Sequence, residues 1–133
     1  MTDHNDTENI VIDPEAMNIV NRVAQGCSHV GNFKWVGGLI VQGRIEGDIE
    51  VTGGPIVLMP EGEMAGVIRG DGEAYLFGTI TSRSDTDLSE VNVLGSVFMA
   101  ETLNAKANIT ASSVRSYDGA QVEGRIKTMR RDA

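Results

Sequence analysis

The sequence predicts an all-β protein, built as a parallel β-helix with three faces. Six triplets, each a small, a variable and an aliphatic residue, begin at residues 47, 66, 78, 95, 107 and 124, so the steps between them are 19, 12, 17, 12 and 17 residues. Steps of 17 to 19 residues fit one coil of such a β-helix, and steps of 12 residues fit two of its faces. Internal repeats this short are typical of solenoids.

Two further observations support this fold class. Around the triplets, apolar and polar residues alternate with the period of two that is typical of half-buried strands. The 133-residue chain, long enough for one domain, has 16 Gly but only one Trp, three Phe and two Tyr, which favours a thin, regular core. A β-sandwich is the alternative, but it would need larger core residues and more hairpin turns than Asp71-Gly72 and Asp118-Gly119 supply.

The N-terminal region, residues 1–32, has a different pattern. Residues 1–9 are polar and acidic, which predicts a disordered tail. Asp13, Pro14 and Glu15 then provide a helix cap, a first-turn proline and an acidic residue at the helix N-terminus. Apolar residues follow at helical spacing, so we expect a short amphipathic helix over residues 14–25. Because so short a helix is unstable alone, it should dock on the β-helix.

The sequence of residues 33–128 predicts short strands separated by breaks. At each break, the positions that face the interior switch between odd and even residue numbers. Inward positions are odd from 39 to 51, even from 64 to 80, odd from 91 to 111 and even again from 120 to 126. Glycine- and proline-rich turns separate these phases, and the polar residues 82–90 predict a protruding loop. The segment would make five or six coils, and residues 129–133 would form a C-terminal tail.

Seven apolar residues occupy positions that this phase turns outward. One interpretation is a stripe for lateral or partner contact. The other is an error of phase at a bulge, which would turn the same residues inward. We take Tyr75, Phe77 and Phe98 as the candidate residues of a lateral or partner face. The full set is Ile40, Val57, Met59, Tyr75, Phe77, Leu94 and Phe98.

The net charge disfavours two classes of partner, and the cysteine count indicates the compartment. The formal net charge of −8 disfavours nucleic acid, which needs clustered cations, and broad adsorption to anionic lipid. The single cysteine, Cys27, allows no internal disulfide, which is consistent with a reducing compartment. No secretory signal and no long apolar run is present, so we expect a cytoplasmic protein.

The sequence contains no convincing catalytic or metal-binding set. Cys27 and His29 are two potential zinc ligands, and His4 is the only other histidine, whereas a zinc site needs three or four ligands. The acidic residues between 85 and 90 have oxygen ligands suited to calcium, but a solvated loop is the simpler interpretation. We therefore expect no enzyme activity, no cofactor and no metal. A calcium- or carbohydrate-binding β-solenoid is a weaker alternative.

Two segments resemble one known family. The run Gly38-Leu-Ile-Val-Gln-Gly-Arg-Ile-Glu-Gly-Asp-Ile49 is similar to the opening coils of bactofilins, and residues 111–129 are similar to their closing coil. The likeness covers residues 33–129. It implies a right-handed parallel β-helix that polymerises end to end without nucleotide. It also implies a bacterial cytoskeletal scaffold in cell shape or polarity, which positions cell-wall enzymes.

The sequence departs from the family pattern at two places. Val122 stands where the closing motif usually carries an aromatic residue linked to polymer contacts. The acidic N-terminus replaces the apolar, basic membrane-targeting peptide of many members, so direct membrane binding has little support. The implied partners are other copies of the chain and cell-wall or membrane proteins, at the inner face of the membrane.

Physical reasoning also favours a polymer. The end coils of a β-helix expose unpaired backbone groups, which require caps or partners. The alternative function is a non-polymerising adaptor that binds a partner protein through one face. We expect the polymer interface to consist of apolar residues in the terminal coils, namely Phe33, Trp35, Leu39 and Val41 at one end and Val122, Ile126 and Met129 at the other.

Overall fold

A computed structural model, which describes residues 12–84 and 86–128, shows the chain as a parallel β-helix. Within these residues, strands follow one another around six coils, and no α-helix is present. The strands are β1 (Ile19–Val23), β2 (Ser28–Val36), β3 (Gly38–Val41), β4 (Arg44–Thr52), β5 (Ile56–Leu58), β6 (Glu63–Gly70), β7 (Ala74–Leu76), β8 (Thr79–Thr81), β9 (Ser89–Val93), β10 (Ser96–Met99), β11 (Asn104–Ala111), β12 (Ser113–Ser116), β13 (Gln121–Glu123) and β14 (Ile126–Thr128).

The coils share three faces. The first face is the six-stranded sheet β1-β3-β5-β7-β10-β12, and the other two faces belong to one eight-stranded sheet. Strands β2, β4, β6 and β11 are long enough to cover both of these faces. The fourth and sixth coils instead use two short strands, β8 with β9 and β13 with β14, which pair with the two halves of the long strands. The predicted solenoid is confirmed.

Aliphatic side chains from the predicted inward positions fill the interior. Ile49, Ile68, Val91 and Ile109 follow one another in register from coil to coil, and all four are almost fully buried. The predicted changes of phase are therefore correct along this column. Because each coil is covered by the coils above and below it, only the two end coils lack a neighbour on one side.

One corner of the β-helix requires glycine. Gly31, Gly47 and Gly66 lie in register at the bend between the second and third faces, with φ angles of 148°, 132° and 118°. A Cβ atom on Gly47 would lie 1.8 Å from the carbonyl oxygen of Gly31, and one on Gly66 would lie 2.0 Å from that of Gly47. The missing side chains thus make room for the backbone of the preceding coil.

The helix predicted over residues 14–25 is wrong. Residues 14–18 form a turn in which the Asp13 side chain accepts a hydrogen bond from the N–H of Ala16, as the predicted cap would. Asn18 then adopts a positive φ of 58°, and the chain continues as β1, which pairs with β3. Val23 enters the core with 0% exposure. Pairing along an open sheet edge outweighs helical spacing in so short a segment.

The β-helix already includes residues 19–32, which the sequence analysis assigned to the N-terminal region. Strands β1 and β2 form its first coil, with β2 in continuous register with β4 from Ser28 to Val36. The fourth coil is interrupted between β8 and β9 by the loop 82–88, at the corner where the third coil has Gly66. The described rod therefore consists of six coils, and the loop 82–88 is an insertion on its side.

Candidate assembly surfaces

Aromatic side chains cover the interior at the N-terminal end of the rod. His29, Phe33 and Trp35 lie on β2, in register with Ile45, Ile49 and Val51 of the next coil. The rings of Phe33 and Trp35 are stacked with centroids 5.9 Å apart, and the ring of His29 meets Phe33 edge-on at 6.1 Å. Phe33 and Trp35 are half-buried against the core. This end is closed by rings rather than by a helix.

Trp35 has an unsatisfied polar atom. Its indole Nε1 is buried and has no hydrogen-bond acceptor in the described part of the chain. Leaving a buried donor unpaired costs free energy, about 1 to 3 kcal/mol in typical cases. This unpaired donor lies in the first coil, at one end of the rod.

Exposed valines surround the same coil. Val20 on β1 is 68% exposed, and Val30 and Val36 on β2 are 71% and 79% exposed. These residues lie on the first, second and third faces, so each side of the first coil presents one β-branched apolar side chain to solvent. Because each valine lies alone on its face, these residues form no contiguous apolar patch and by themselves indicate no contact.

The N-terminal turn lies against the side of the rod. The Asn18 side chain donates a hydrogen bond to the carbonyl of Gly53, and the backbone N–H of Gly38 donates to the carbonyl of Asn18. Gly38 begins β3 and Gly53 follows β4, so both partners belong to the second coil. Within residues 12–18, nothing therefore folds over the first coil as a cap.

Aliphatic side chains form the interior at the C-terminal end. Val122 lies in register with Ala105, and Ile126 lies in register with Ile109, which is fully buried one coil earlier. Val122 is half-buried, but Ile126 is 45% exposed because no described coil covers it. The last coil thus presents an apolar surface along the rod axis.

Both ends also have unpaired strand edges. Within residues 12–84 and 86–128, β1 pairs only with β3 and β2 only with β4, while β12 pairs only with β10 and both β13 and β14 only with β11. On the side without a neighbouring coil, the backbone N–H and C=O groups of these strands have no strand to pair with in the described residues. An edge of this kind is a template for pairing with another chain.

The structure separates the predicted interface residues into two groups. Phe33, Trp35, Val122 and Ile126 lie in the end coils. Leu39 and Val41 lie on β3 in the second coil, where they are 0% exposed between β1 and β5. They therefore belong to the internal core and not to an end surface. Met129 lies outside the described residues.

The outward apolar residues form columns, so the phase that predicts them is right. Ile40, Val57, Tyr75 and Phe98 follow one another in register on the outer side of the first face. Val57 is fully buried, and the other three residues are half-buried.

Two rings in this column are stacked. Tyr75 and Phe98 have centroids 4.8 Å apart and planes inclined by only 5°. Burial raises the pKa of the Tyr75 phenol above its usual value of 10.0, and the nearby carboxylate of Glu73 raises it further.

No group of three or more His, Cys, Asp or Glu residues suited to a metal ion occurs among the described residues. Cys27 is a free, exposed thiol, and His29 contacts Phe33. Glu90 on β9 forms a 3.4 Å ion pair with Arg83 of the loop, and within the loop Asp87 accepts a hydrogen bond from Ser84. The candidate calcium ligand Asp85 and the candidate zinc ligand His4 lie outside the described residues. No helix long and apolar enough to span a membrane occurs in the same part of the chain.

Sequence reasoning missed Ser89, the one polar residue in the buried set of described residues. Its hydroxyl accepts a hydrogen bond from the N–H of Gly66 at 2.9 Å and donates to the carbonyl of Thr81. It thereby joins the third and fourth coils where the loop leaves the β-helix. A serine at the position of the corner glycine, directly after a polar loop, is the signal that would have identified it.

Comparison with known proteins identifies one family. A protein-family model described as "Bactofilin: Polymer-forming cytoskeletal" matches residues 21–127 of the 133-residue chain. The match begins on β1 and ends on β14, so it includes both end coils. No curated protein and no solved structure gives a significant match.

Proposed function

Because the chain belongs to the bactofilin family of polymer-forming cytoskeletal proteins, we propose that it is a structural scaffold that assembles end to end without nucleotide. We also propose that it has no catalytic activity and that it positions cell-envelope or cell-wall enzymes in the cytoplasm, at the inner face of the membrane. The residues proposed for the polymer contact are Phe33 and Trp35 at one end and Val122 and Ile126 at the other. We also propose Met129, which directly follows β14 in the sequence, as a contact residue at this end.

The observation that carries the proposal is the chemistry of the two ends. Each end combines unpaired parallel strand edges with apolar side chains of the interior that no further described coil covers. Ile126 illustrates the point, since its partner in register, Ile109, is fully buried while Ile126 is not. A second copy stacked on this end would bury Ile126 as the core buries Ile109.

The magnitudes fit a concentration-dependent polymer. Burying each large apolar side chain contributes about 1.5 to 3 kcal/mol, and each new ladder hydrogen bond about 0.5 to 1.5 kcal/mol. Association costs about 4 to 15 kcal/mol in lost freedom of motion. The contact must therefore combine several buried side chains with ladder hydrogen bonds on each face to exceed this cost. Because mass action opposes this cost, we expect the average filament length to increase with protein concentration.

The test is assembly of purified protein without ATP or GTP, followed by sedimentation and negative-stain electron microscopy. At about 0.15 M salt the Debye length is about 8 Å, so repulsion from the net charge of −8 is largely screened. Wild-type protein should form filaments. Ile126→Arg and Val122→Arg should abolish them, because a charged side chain would be buried between coils without a partner.

Gln121→Arg is the matched control. Gln121 is exposed on the outward side of the same last coil, and the substitution adds the same charge without entering the contact. This variant should assemble like wild type. Circular dichroism should show that all four proteins keep their β-structure. Wild-type protein that remains monomeric at high concentration would contradict the proposal and favour the non-polymerising adaptor.

The single tryptophan provides a second measurement. Trp35 is the only Trp in the chain and lies in the first coil. Stacking at this end should reduce quenching of its fluorescence by acrylamide as the protein concentration rises and filaments form. Unchanged quenching during assembly would exclude Trp35 from the polymer contact.

A further inference from the structure

The first strand of the rod, β1, is held along one edge and by little apolar burial. In the described chain it pairs with β3 alone, and the register of this pairing shifts between Ile19 and Asn21. Among its five residues only Val23 is fully buried, whereas Val20 is 68% exposed. An interrupted ladder and few buried apolar contacts are features of an element that opens at low free energy.

Exposed amide side chains supply much of the remaining hold on β1. The Asn21 side chain donates a hydrogen bond to the carbonyl of Val36 at 2.9 Å, and the Asn18 side chain donates to that of Gly53 at 2.8 Å. Both bonds are exposed, so water competes for their groups and their net contribution is small. Asn18 also has a φ of 58°, which residues with a side chain adopt uncommonly.

The neighbours of β1 are held independently of it. Residues 24–27 form a turn between β1 and β2, and Gly26 in this turn has a φ of 87°. Strand β2 pairs with β4 over its nine residues, Ser28–Val36, and β3 pairs with β5 on its other edge. A rotation within the turn therefore frees β1 while β2 and the other five coils stay in place.

We propose that β1 is a detachable strand that switches the N-terminal end of the rod between two surfaces. With β1 docked, Leu39 and Val41 are fully buried, because Asn21 and Val23 lie in register with them on the outer side. With β1 released, these two side chains lose that cover and the edge of β3 becomes free. Release is a property of a single chain, whereas its effect on assembly rests on the proposed end-to-end polymer.

The two states differ in what they offer to a second copy. A copy that stacks on the first coil pairs with the free edge of β1 only when β1 is docked. Because a partner that binds one of two states shifts the equilibrium toward that state, assembly through this end should hold β1 in place. Release of β1 should weaken the N-terminal contact and leave the C-terminal contact, with Val122 and Ile126, unaffected.

Backbone amides of the second coil distinguish release of β1 from a general opening of this end. The N–H groups of Gly38 and Gln42 donate to the carbonyls of Asn18 and Val23, both at 2.7 Å. The N–H of Leu39, between them in the sequence, donates to a carbonyl of the third coil at 2.9 Å. Release of β1 therefore exposes the first two amides to solvent exchange and leaves the third protected.

The test is residue-resolved amide hydrogen exchange, measured by NMR on the full chain carrying Ile126→Arg to prevent assembly. After correction for intrinsic rates, Gly38 and Gln42 should exchange at least about tenfold faster than Leu39. Equal exchange at the three amides would overturn the proposal, because it would show that β1 opens only together with β3.

A pair of substitutions tests what holds β1. In the same background, Asn21→Ala should accelerate exchange at Gly38 and Gln42 by a factor of about 2 to 12, the effect of one lost hydrogen bond, and leave Leu39 unchanged. Asn32→Ala is the matched control, because Asn32 is exposed on β2 of the same coil. It should change none of these rates. An Asn21→Ala variant that exchanges like the control would contradict the proposed hold on β1.

The effect on assembly is tested by exchange in wild-type filaments, which are then dissolved and measured by NMR. Gly38 and Gln42 should be protected in filaments as strongly as Leu39. Filaments in which the two amides exchange as fast as in the single chain would overturn the effect on assembly but not the polymer. Wild-type protein that forms no filaments would overturn the polymer and the effect on it, while release of β1 is still decided by the single-chain measurement.

Discussion

Gly47 shows how closely the coils approach at the bend between the second and third faces. Its φ of 132° is rarely adopted by other residues, and a Cβ atom would lie 1.8 Å from the carbonyl oxygen of Gly31. The position is therefore constrained by both conformation and space. Gly26 separates these two effects, because its φ is 87° but a Cβ atom there would meet nothing within 4 Å.

We predict that Gly47→Ala destabilises the protein more than Gly26→Ala. The left-handed conformation alone costs about 1 to 2 kcal/mol for a residue with a side chain, and we expect this cost for Gly26→Ala. Gly47→Ala should add about 1 to 3 kcal/mol for overpacking. Urea denaturation followed by circular dichroism, in the Ile126→Arg background to avoid assembly, measures both values. Equal losses would show that the backbone at Gly47 moves aside at no cost.

At the residue scale, the alternation of the sequence predicts the core well, since burial follows directly from side-chain polarity. Ile49 and Ile68 are at inward positions because their neighbours are polar. The position of a residue along the rod is harder to predict. Leu39 and Val41 were expected in an end coil, but β1 covers them. That coil was hidden because Ile19, Val20 and Val23 also fit a helical period.

At the scale of elements, the strands and the loop were predictable and the N-terminal helix was not. Asp13 and Pro14 do start a helix-like turn, as their chemistry predicts. The turn ends at Asn18 because the edge of β3 offers Ile19–Val23 a ladder of hydrogen bonds. A local signal cannot reveal such an edge, which arises from residues about 20 positions later in the sequence.

The loop 82–88 is an insertion of a definite length. In the register between β6 and the fourth coil, Ala65 pairs with Thr81 and Val67 with Glu90. The third coil thus has one residue, Gly66, where the fourth coil has the loop followed by Ser89. Removal of residues 82–88 would place Ser89 directly after Thr81, as Gly66 follows Ala65.

We predict that excision of residues 82–88 leaves the six coils and the assembly intact. The shortened corner would have the length found in the third and fifth coils, and a shorter connection loses little entropy on folding. Excision of residues 82–87 is the control, because Leu88 would remain as one extra residue at the corner. Thermal unfolding should show a lower midpoint for this control than for the seven-residue excision. The reverse order would contradict the proposed register.

At the scale of the whole molecule, the rod has ends and sides with separate chemistry. The ends carry open strand edges and apolar side chains, including Ile126. One side carries the column of Ile40, Val57, Tyr75 and Phe98, and the other two sides carry charged residues such as Arg44 and Glu50. An assembly that uses only the ends leaves these charged faces in water, where the net negative charge disfavours further association.

The last prediction concerns the axial repeat of the filament. If the end coils pair through their strand edges, the β-ladder continues across the junction with the ordinary strand spacing of about 4.8 Å. Six coils then give an axial rise of about 29 Å per subunit, whichever ends meet. Fibre diffraction or cryo-electron microscopy measures both spacings, and Gln121→Arg should keep them unchanged. A rise several ångströms larger would show that other residues separate the end coils, so that the contact is not a continuous ladder.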